Sequence, residues 1–277
     1  MQLDTVEGKN VLITGAAMGL GKLFATRAVD EHAANVVLWD INEGALKDTA
    51  AELEAAGGTV TYYVVDVSVP AAIAEAAASV RRDVGDIDVL INNAGIVRGN
   101  RYFWETENKA DIEATMRINS LAPMYLTLEF LPAMIAGKRE SRILNIASSA
   151  GLVSNPRMSV YAASKWAAVG WSDSVRLELE QAEVEHVKVT TVCPTYISTG
   201  MFDGAKGMLL TPILQPRDVV DAAWREMRKG GPFVVLPWTS RLNQAVTGFL
   251  PIRLRDEFLR RVGVYNSMSE FTGRTKE

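Results

Sequence analysis

Seven short runs along the chain are almost wholly apolar: N-V-L-I-T (10–14), N-V-V-L-W (35–39), T-V-T-Y-Y-V-V (59–65), I-D-V-L-I-N (87–92), R-I-L-N-I-A (142–147), V-K-V-T-T-V (187–192) and F-V-V-L (233–236). Their apolar residues follow one another instead of alternating with polar ones, as in strands covered on both faces. Longer alanine-rich stretches lie between them, including 20–33, 43–56, 70–84, 109–136, 160–183 and 216–229. This alternation predicts an α/β chain with one doubly wound parallel sheet of about seven strands and helices on both faces. Gly57-Gly58 and Gly230-Gly231 each follow a helical stretch and precede a strand, so they read as helix stops. No linker or repeat divides the chain, which predicts a single domain over 1–277. Residues 237–277 outlast the last strand and mix apolar with basic positions, which predicts a C-terminal helical extension.

Composition narrows the function classes. The chain has 277 residues, 48% hydrophobic and 22% charged, with a net charge of −4, so no nucleic-acid surface is expected. Its strongest basic cluster, Arg253, Arg255, Arg260 and Arg261, is interrupted by Asp256 and Glu257. No apolar run reaches the roughly 18 residues of a membrane span, so no transmembrane segment is expected. The polar start M-Q-L-D-T-V-E predicts no signal peptide, and the expected location is cytoplasmic. Cys193 is the only cysteine, and His32 and His186 are the only histidines, which leaves no disulfide and no cysteine- or histidine-rich metal site.

The first strand runs into T-G-A-A-M-G-L-G, which sets Gly15, Gly19 and Gly21 at a strand-to-helix turn, with Met18 and Leu20 between them. Such a turn lets the backbone approach a pyrophosphate, and the helix N-terminus favours the anion. This points to a Rossmann-type fold. Asp40 ends the second strand, nineteen residues after Gly21. A carboxylate there accepts from both adenosine ribose hydroxyls and repels a 2′-phosphate. With apolar Met18 and Ile41 beside it, NAD(H) is expected over NADP(H). Asp66, followed by Val67, is placed either to hold the adenine amino group or to cap the next helix. In N-N-A-G (92–95), Asn93, Ala94 and Gly95 let the backbone pass close to a cofactor.

Ser148 stands thirteen positions before Tyr161, and Lys165 four after it in Y-A-A-S-K. Residues four apart share a helix face, which brings an ammonium beside a phenol. Moving a tyrosine pKa from ~10 to ~7 takes about 4 kcal/mol. A unit charge ~5 Å away at an effective dielectric of ~20 supplies roughly 3 kcal/mol. The lysine together with a cationic cofactor ring would therefore give a lowered phenol that exchanges protons near neutrality.

Together these residues resemble the short-chain dehydrogenase/reductase family over roughly residues 8–200. The resemblance implies that Tyr161 is the general acid/base and that Lys165 holds the nicotinamide ribose and lowers the tyrosine pKa. It implies that Ser148, not its neighbour Ser149, bonds the substrate oxygen. Asn119, in mid-helix, would support a water linking the lysine to solvent. Pro194, Ile197 and Thr199 match the segment that cradles the nicotinamide. Thr195 stands where the family usually has glycine, which puts the local backbone in question. The long helices 109–136 and 160–183 would pair with sister subunits in a homodimer or homotetramer.

Residues 200–216 should form a substrate lid, made apolar by Met201, Phe202, Met208, Leu209, Leu210 and Ile213. Met201 and Phe202, with Ser149 and Asn155, are candidate substrate contacts. A lipophilic alcohol or ketone fits such a lid better than a sugar or a carrier thioester. P-T-Y-I-S-T-G-M-F and the tail 263–274 are similar to retinol and hydroxysteroid dehydrogenases. Two alternatives share the fold: a non-catalytic NAD-binding regulator, and an epimerase or dehydratase that uses bound NAD.

Overall fold

The computed structural model describes residues 2–98, 100–202, 204 and 211–272, with the backbone alone over 242–247. Its seven strands are β1 (Asn10–Thr14), β2 (Asn35–Asp40), β3 (Val60–Val64), β4 (Val89–Asn92), β5 (Ser141–Ile146), β6 (Val187–Pro194) and β7 (Phe233–Leu236). They form one parallel sheet in the order β3-β2-β1-β4-β5-β6-β7. The strand order reverses between β1 and β4. Connections leave in opposite directions there and open a crevice at the carboxyl edge of the sheet.

Side-chain alternation along the central strands explains the all-apolar runs. Val11, Ile13, Val36 and Leu38 face one layer with Phe24 and Ala28 of α1 (Gly19–Asp30), Leu46 of α2 (Glu43–Ala55) and Trp224 of α7 (Pro216–Lys229). Leu12, Val37, Trp39 and Leu90 face the other, with Ile73 of α3 (Pro70–Asp83), Phe130 of α5 (Ala122–Gly137) and Leu179 of α6 (Ser159–Gln181). The central strands are thus buried on both faces, while β3 at the sheet edge leaves Tyr62 and Val64 exposed. The helix ends follow local chemistry. Asn42 Oδ1 caps α2 by accepting from the Ala45 N–H at 3.1 Å, and Pro70 and Pro216 open α3 and α7.

The helix expected over 109–136 is interrupted. α4 (Lys109–Met116) passes through a π-helical turn at Arg117–Leu121 before α5 begins. Pro123 has no N–H to give the Asn119 carbonyl, so the regular ladder cannot run through this point. Lys109–Gly137 is long and apolar enough to cross a membrane by length and composition alone. Ala122, Leu126, Phe130 and Met134, however, form a buried stripe at i, i+4 spacing against the sheet. The expected C-terminal extension is present as α8 (Trp238–Phe249) and α9 (Ile252–Arg261), followed by a short turn at Val264–Asn266.

Candidate active site

A cavity of about 410 Å³ occupies the crevice between β1 and β4. Of the residues singled out from sequence, Gly15, Met18, Gly19, Leu20, Asp40, Ile41, Asp66, Val67, Asn93, Ala94, Gly95, Ser148, Tyr161, Lys165, Pro194, Ile197, Thr199, Met201 and Phe202 all line it. Gly21, Asn119, Ser149 and Asn155 do not. Trp39, Asn42, Val65, Ile96, Ile118, Ile146, Ala147 and Thr195 line it without having been expected. Most of these are direct chain neighbours of expected residues at strand ends, and that adjacency is the signal that could have found them.

Gly21 acts from behind the wall. A Cβ there would collide with the Gly15 carbonyl, so glycine alone lets α1 start against the end of β1. Gly19 has φ +58°, a left-handed conformation that places the turn's N–H groups at the cavity. The N-N-A-G turn is tied to this loop by side chains. Asn93 Nδ2 donates to the Thr14 carbonyl at 2.9 Å and the Gly15 carbonyl at 3.2 Å, while Thr14 Oγ1 accepts from the Asn93 and Ala94 N–H groups, each at 3.1 Å. Asn92 crosses to β5 and donates to Asn145 Oδ1 at 2.8 Å.

Both acids line the cavity, and Asp66 does not cap α3, whose N-cap position is Val69 with no side-chain cap bond. Asp40 accepts from the Ala17 N–H and the Asn42 N–H, each at 3.0 Å, so it braces the glycine turn. A carboxylate has about four acceptor sites, so both oxygens keep capacity toward the cavity. Asp66 Oδ1 accepts from the Ser68 N–H at 2.9 Å in a turn ahead of α3.

Ser148, Tyr161 and Lys165 meet on one wall. The Ser148 hydroxyl hydrogen-bonds the Tyr161 phenol and also accepts from the Ala150 N–H at 3.1 Å. Lys165 Nζ lies 5.8 Å from the centre of the Tyr161 ring and donates to the Ile146 carbonyl at 3.0 Å. Burial lowers the lysine to about 8. The phenol departs from expectation: burial pushes the Tyr161 pKa up, and the Ser148 hydrogen bond opposes that only partly. The reason is that both groups are almost fully buried, at 5% exposure each. Desolvation outweighs the Ser148 bond, and Tyr196 and Cys193 push the phenol in the same upward direction. Cys193, fully buried nearby, is raised to about 12 by the same cause, which leaves no thiolate for nucleophilic chemistry.

Asn119 sits one layer back, in the π-helical turn. Its Oδ1 accepts from the Ile96 N–H and its Nδ2 donates to the Ile96 carbonyl, each at 2.9 Å, and Nδ2 also reaches Ser164 Oγ at 3.1 Å. It thereby clamps the loop after β4 to α6 behind Gly95.

A smaller inner chamber adjoins this wall and is lined by Ser148, Ser149, Asn155, Tyr161, Tyr196 and Phe202 among others. Asn155 Nδ2 donates to Tyr196 Oη and to Ser267 Oγ, each at 3.1 Å, and these two hydroxyls are 2.7 Å apart. Phe202 packs edge-on to Tyr161, with ring centres 6.1 Å apart, and also touches Tyr196 and Phe271. The expected lid is pinned at its base, where Ile197 bridges Leu214 and the Leu214 N–H donates to the Tyr196 carbonyl at 2.8 Å. Met208, Leu209 and Leu210 lie outside the described residues.

Thr195 answers the question that its departure from glycine raised. Its φ is not positive, and its N–H donates to the Leu236 carbonyl at 2.9 Å, so a side chain is accommodated. Its hydroxyl oxygen is buried without a partner on the cavity wall.

The sequence matches the family described as short chain dehydrogenase over residues 9–208. The chain belongs to the short-chain dehydrogenase family. It is 34% identical over 260 residues to human estradiol 17-beta-dehydrogenase 11, covering 94% of this chain and 85% of that protein. It is 36% identical over 279 residues to mouse epidermal retinol dehydrogenase 2, covering 98% and 88%. Among solved structures, a short chain dehydrogenase/reductase from Burkholderia phymatum in complex with NAD superposes with a TM-score of 0.80 at 25% identity, covering 96% of this chain and 98% of that one. A metagenomic short-chain oxidoreductase in complex with NADP superposes with a TM-score of 0.70 at 30% identity, covering 83% and 96%. Within this family the cavity is a nicotinamide dinucleotide site, and its residues suit one. The glycine turn offers N–H groups to a pyrophosphate, Asp40 keeps spare acceptors, and the unpartnered Thr195 hydroxyl waits for a polar group deep in the cavity.

Proposed function

We propose that the protein is an NAD-dependent alcohol dehydrogenase or carbonyl reductase that interconverts a lipophilic alcohol and its carbonyl compound, a secondary alcohol with its ketone or a primary one with its aldehyde. The observation that carries this reading is the Ser148–Tyr161–Lys165 wall, which opens both to the dinucleotide cavity and to an inner chamber rimmed by aromatic side chains. The dinucleotide supplies the carbon that accepts or returns the hydride. Ser148 holds the substrate oxygen. Tyr161 gives its proton to that oxygen in reduction and takes the hydroxyl proton in oxidation. Lys165 anchors the ribose side and carries the positive charge that steadies a phenolate. Asn119 fixes the loop behind this pair and supports the proton path from the lysine to solvent.

Preference for NAD(H) is supported by the charge of the lining. Among the described residues that line the cavity, Lys165 is the only cation, and Met18 and Ile41 flank Asp40 where a 2′-phosphate would need one. The apolar Met201 and Phe202, and the names of the steroid and retinol dehydrogenases it is similar to, support a lipophilic substrate. Leu128, Trp166 and Leu177, exposed on α5 and α6, suit pairing into a homodimer or homotetramer. An NADH-linked screen of aliphatic, aromatic, terpenoid and steroid ketones and alcohols tests the reading. Turnover with at least one lipophilic ketone is expected. Dinucleotide binding without turnover across the panel would favour a regulator instead.

A further inference from the structure

The hairpin after β7 keeps large apolar side chains in solvent. α8 and α9 meet at Leu250-Pro251, and around that joint Phe249, Ile252 and Leu254 are 90%, 67% and 59% exposed. Trp238, at the start of α8, is 72% exposed. At about 100° per residue, Trp238, Arg241 and Phe249 fall within about 80° of one another on that helix. From Trp238 to Arg255 the chain carries Arg241, Arg253 and Arg255 and no acidic residue, within a protein of net charge −4; Arg255 is paired with Asp256 at 3.0 Å, so Arg241 and Arg253 are the cations the patch offers. The far ends of the same helices reach the inner chamber: Ser240, Val262 and Val264 line it. α9 has 10 residues and is therefore about 15 Å long, so the greasy joint stands about that far from the chamber wall.

We propose that the α8–α9 joint docks onto an anionic phospholipid bilayer, presenting the inner chamber to the surface from which a lipophilic substrate arrives. A side chain as exposed as Phe249 protrudes, and protruding apolar residues enter the acyl boundary while flanking arginines meet anionic headgroups. A tryptophan on the same face suits the interface. A second copy of the chain is a poorer occupant, because a two-fold contact brings the same patch together from both copies, and between residues 238 and 255 no acidic residue would offset its arginines. Only the purpose of docking rests on the substrate reading above; the docking itself does not.

The test is flotation of the full-length protein with phosphatidylcholine vesicles, with and without phosphatidylserine. The protein should float with the mixed vesicles and much less with phosphatidylcholine alone, and binding should weaken as salt is raised. Phe249→Ser/Ile252→Ser/Leu254→Ser should lower the partition coefficient about tenfold or more. Arg241→Glu/Arg253→Glu should abolish the preference for phosphatidylserine. Both variants should melt as the parent does and keep its NADH-linked turnover of a small water-soluble ketone. A parent that floats without turnover leaves docking standing and sinks the catalytic reading. Docking is overturned if the parent does not float, floats equally with both vesicles, or floats equally after the triple serine change. It is also overturned if that change instead dissolves a dimer of a parent that ignores vesicles.

Discussion

The two sides of the cavity are held by different kinds of force. On the dinucleotide side, backbone and short polar side chains interlock: Thr14 with Asn93 and Ala94, Asp40 with Ala17 and Asn42, Asn119 with Ile96. Each bond fixes a strand end, and the glycine turn leaves no room for a side chain at Gly21. On the substrate side, rings lean on rings around Phe202, and one polar trio, Asn155, Tyr196 and Ser267, joins the chamber to the C-terminal tail. The first side demands particular residues because hydrogen bonds are directional. The second is satisfied by many apolar side chains, because burial is not. Reaction chemistry sits on the demanding side and substrate choice on the permissive one.

Substitutions should therefore be far costlier on the first side. Gly21→Val forces a side chain into the Gly15 carbonyl, and NADH affinity, read by fluorescence titration, should fall about a hundredfold or more. Retention of NADH binding within about threefold would erase the contrast. On the proposed reading, Asp40→Ala removes a ribose acceptor and the repulsion of a 2′-phosphate. The ratio of kcat/KM with NAD to that with NADP should fall about 10- to 100-fold. The ratio is the safe readout because Asp40 also braces the glycine turn. The raised Tyr161 pKa gives a pH signature. Its phenolate fraction is small at neutral pH and grows as pH rises, so kcat/KM for alcohol oxidation should climb through the alkaline range, while ketone reduction, which uses the protonated phenol, should hold level at least to the ordinary tyrosine value of about 10. An oxidation profile that stays flat through the alkaline range would remove Tyr161 from the proton balance. On the permissive side, Phe202→Ala should raise KM for a bulky ketone by about tenfold or less and leave kcat within about threefold. A larger loss in kcat would mean that this ring positions Tyr161.

The same asymmetry explains what was legible in the sequence. The seven strands follow from their apolar runs, which the central strands owe to cover on both faces; the edge strand β3 has such a run yet leaves Tyr62 and Val64 exposed. The glycine turn, Asp40 and the Tyr161–Lys165 spacing are legible because each is bound to a fixed backbone geometry. The π-helical turn at Asn119 was not, since the stretch 109–136 carries prolines at 123 and 132 and only the first coincides with the fault, while α5 runs through the second. The direction of the Tyr161 shift was missed because spacing reveals the neighbouring charge but not the burial that opposes it. The Asn155–Tyr196–Ser267 trio joins residues 41, 71 and 112 positions apart, a contact that no local pattern announces.

Tyr161→Phe tests the central claim most directly, because it removes one oxygen from the demanding side and leaves the glycine turn, Asp40 and Lys165 in place. With NADH and a lipophilic ketone that the parent reduces, turnover should fall by about 10²- to 10⁴-fold while NADH affinity stays within about threefold. Turnover within about tenfold of the parent, with NADH still bound, would contradict the assignment of Tyr161 as the proton donor.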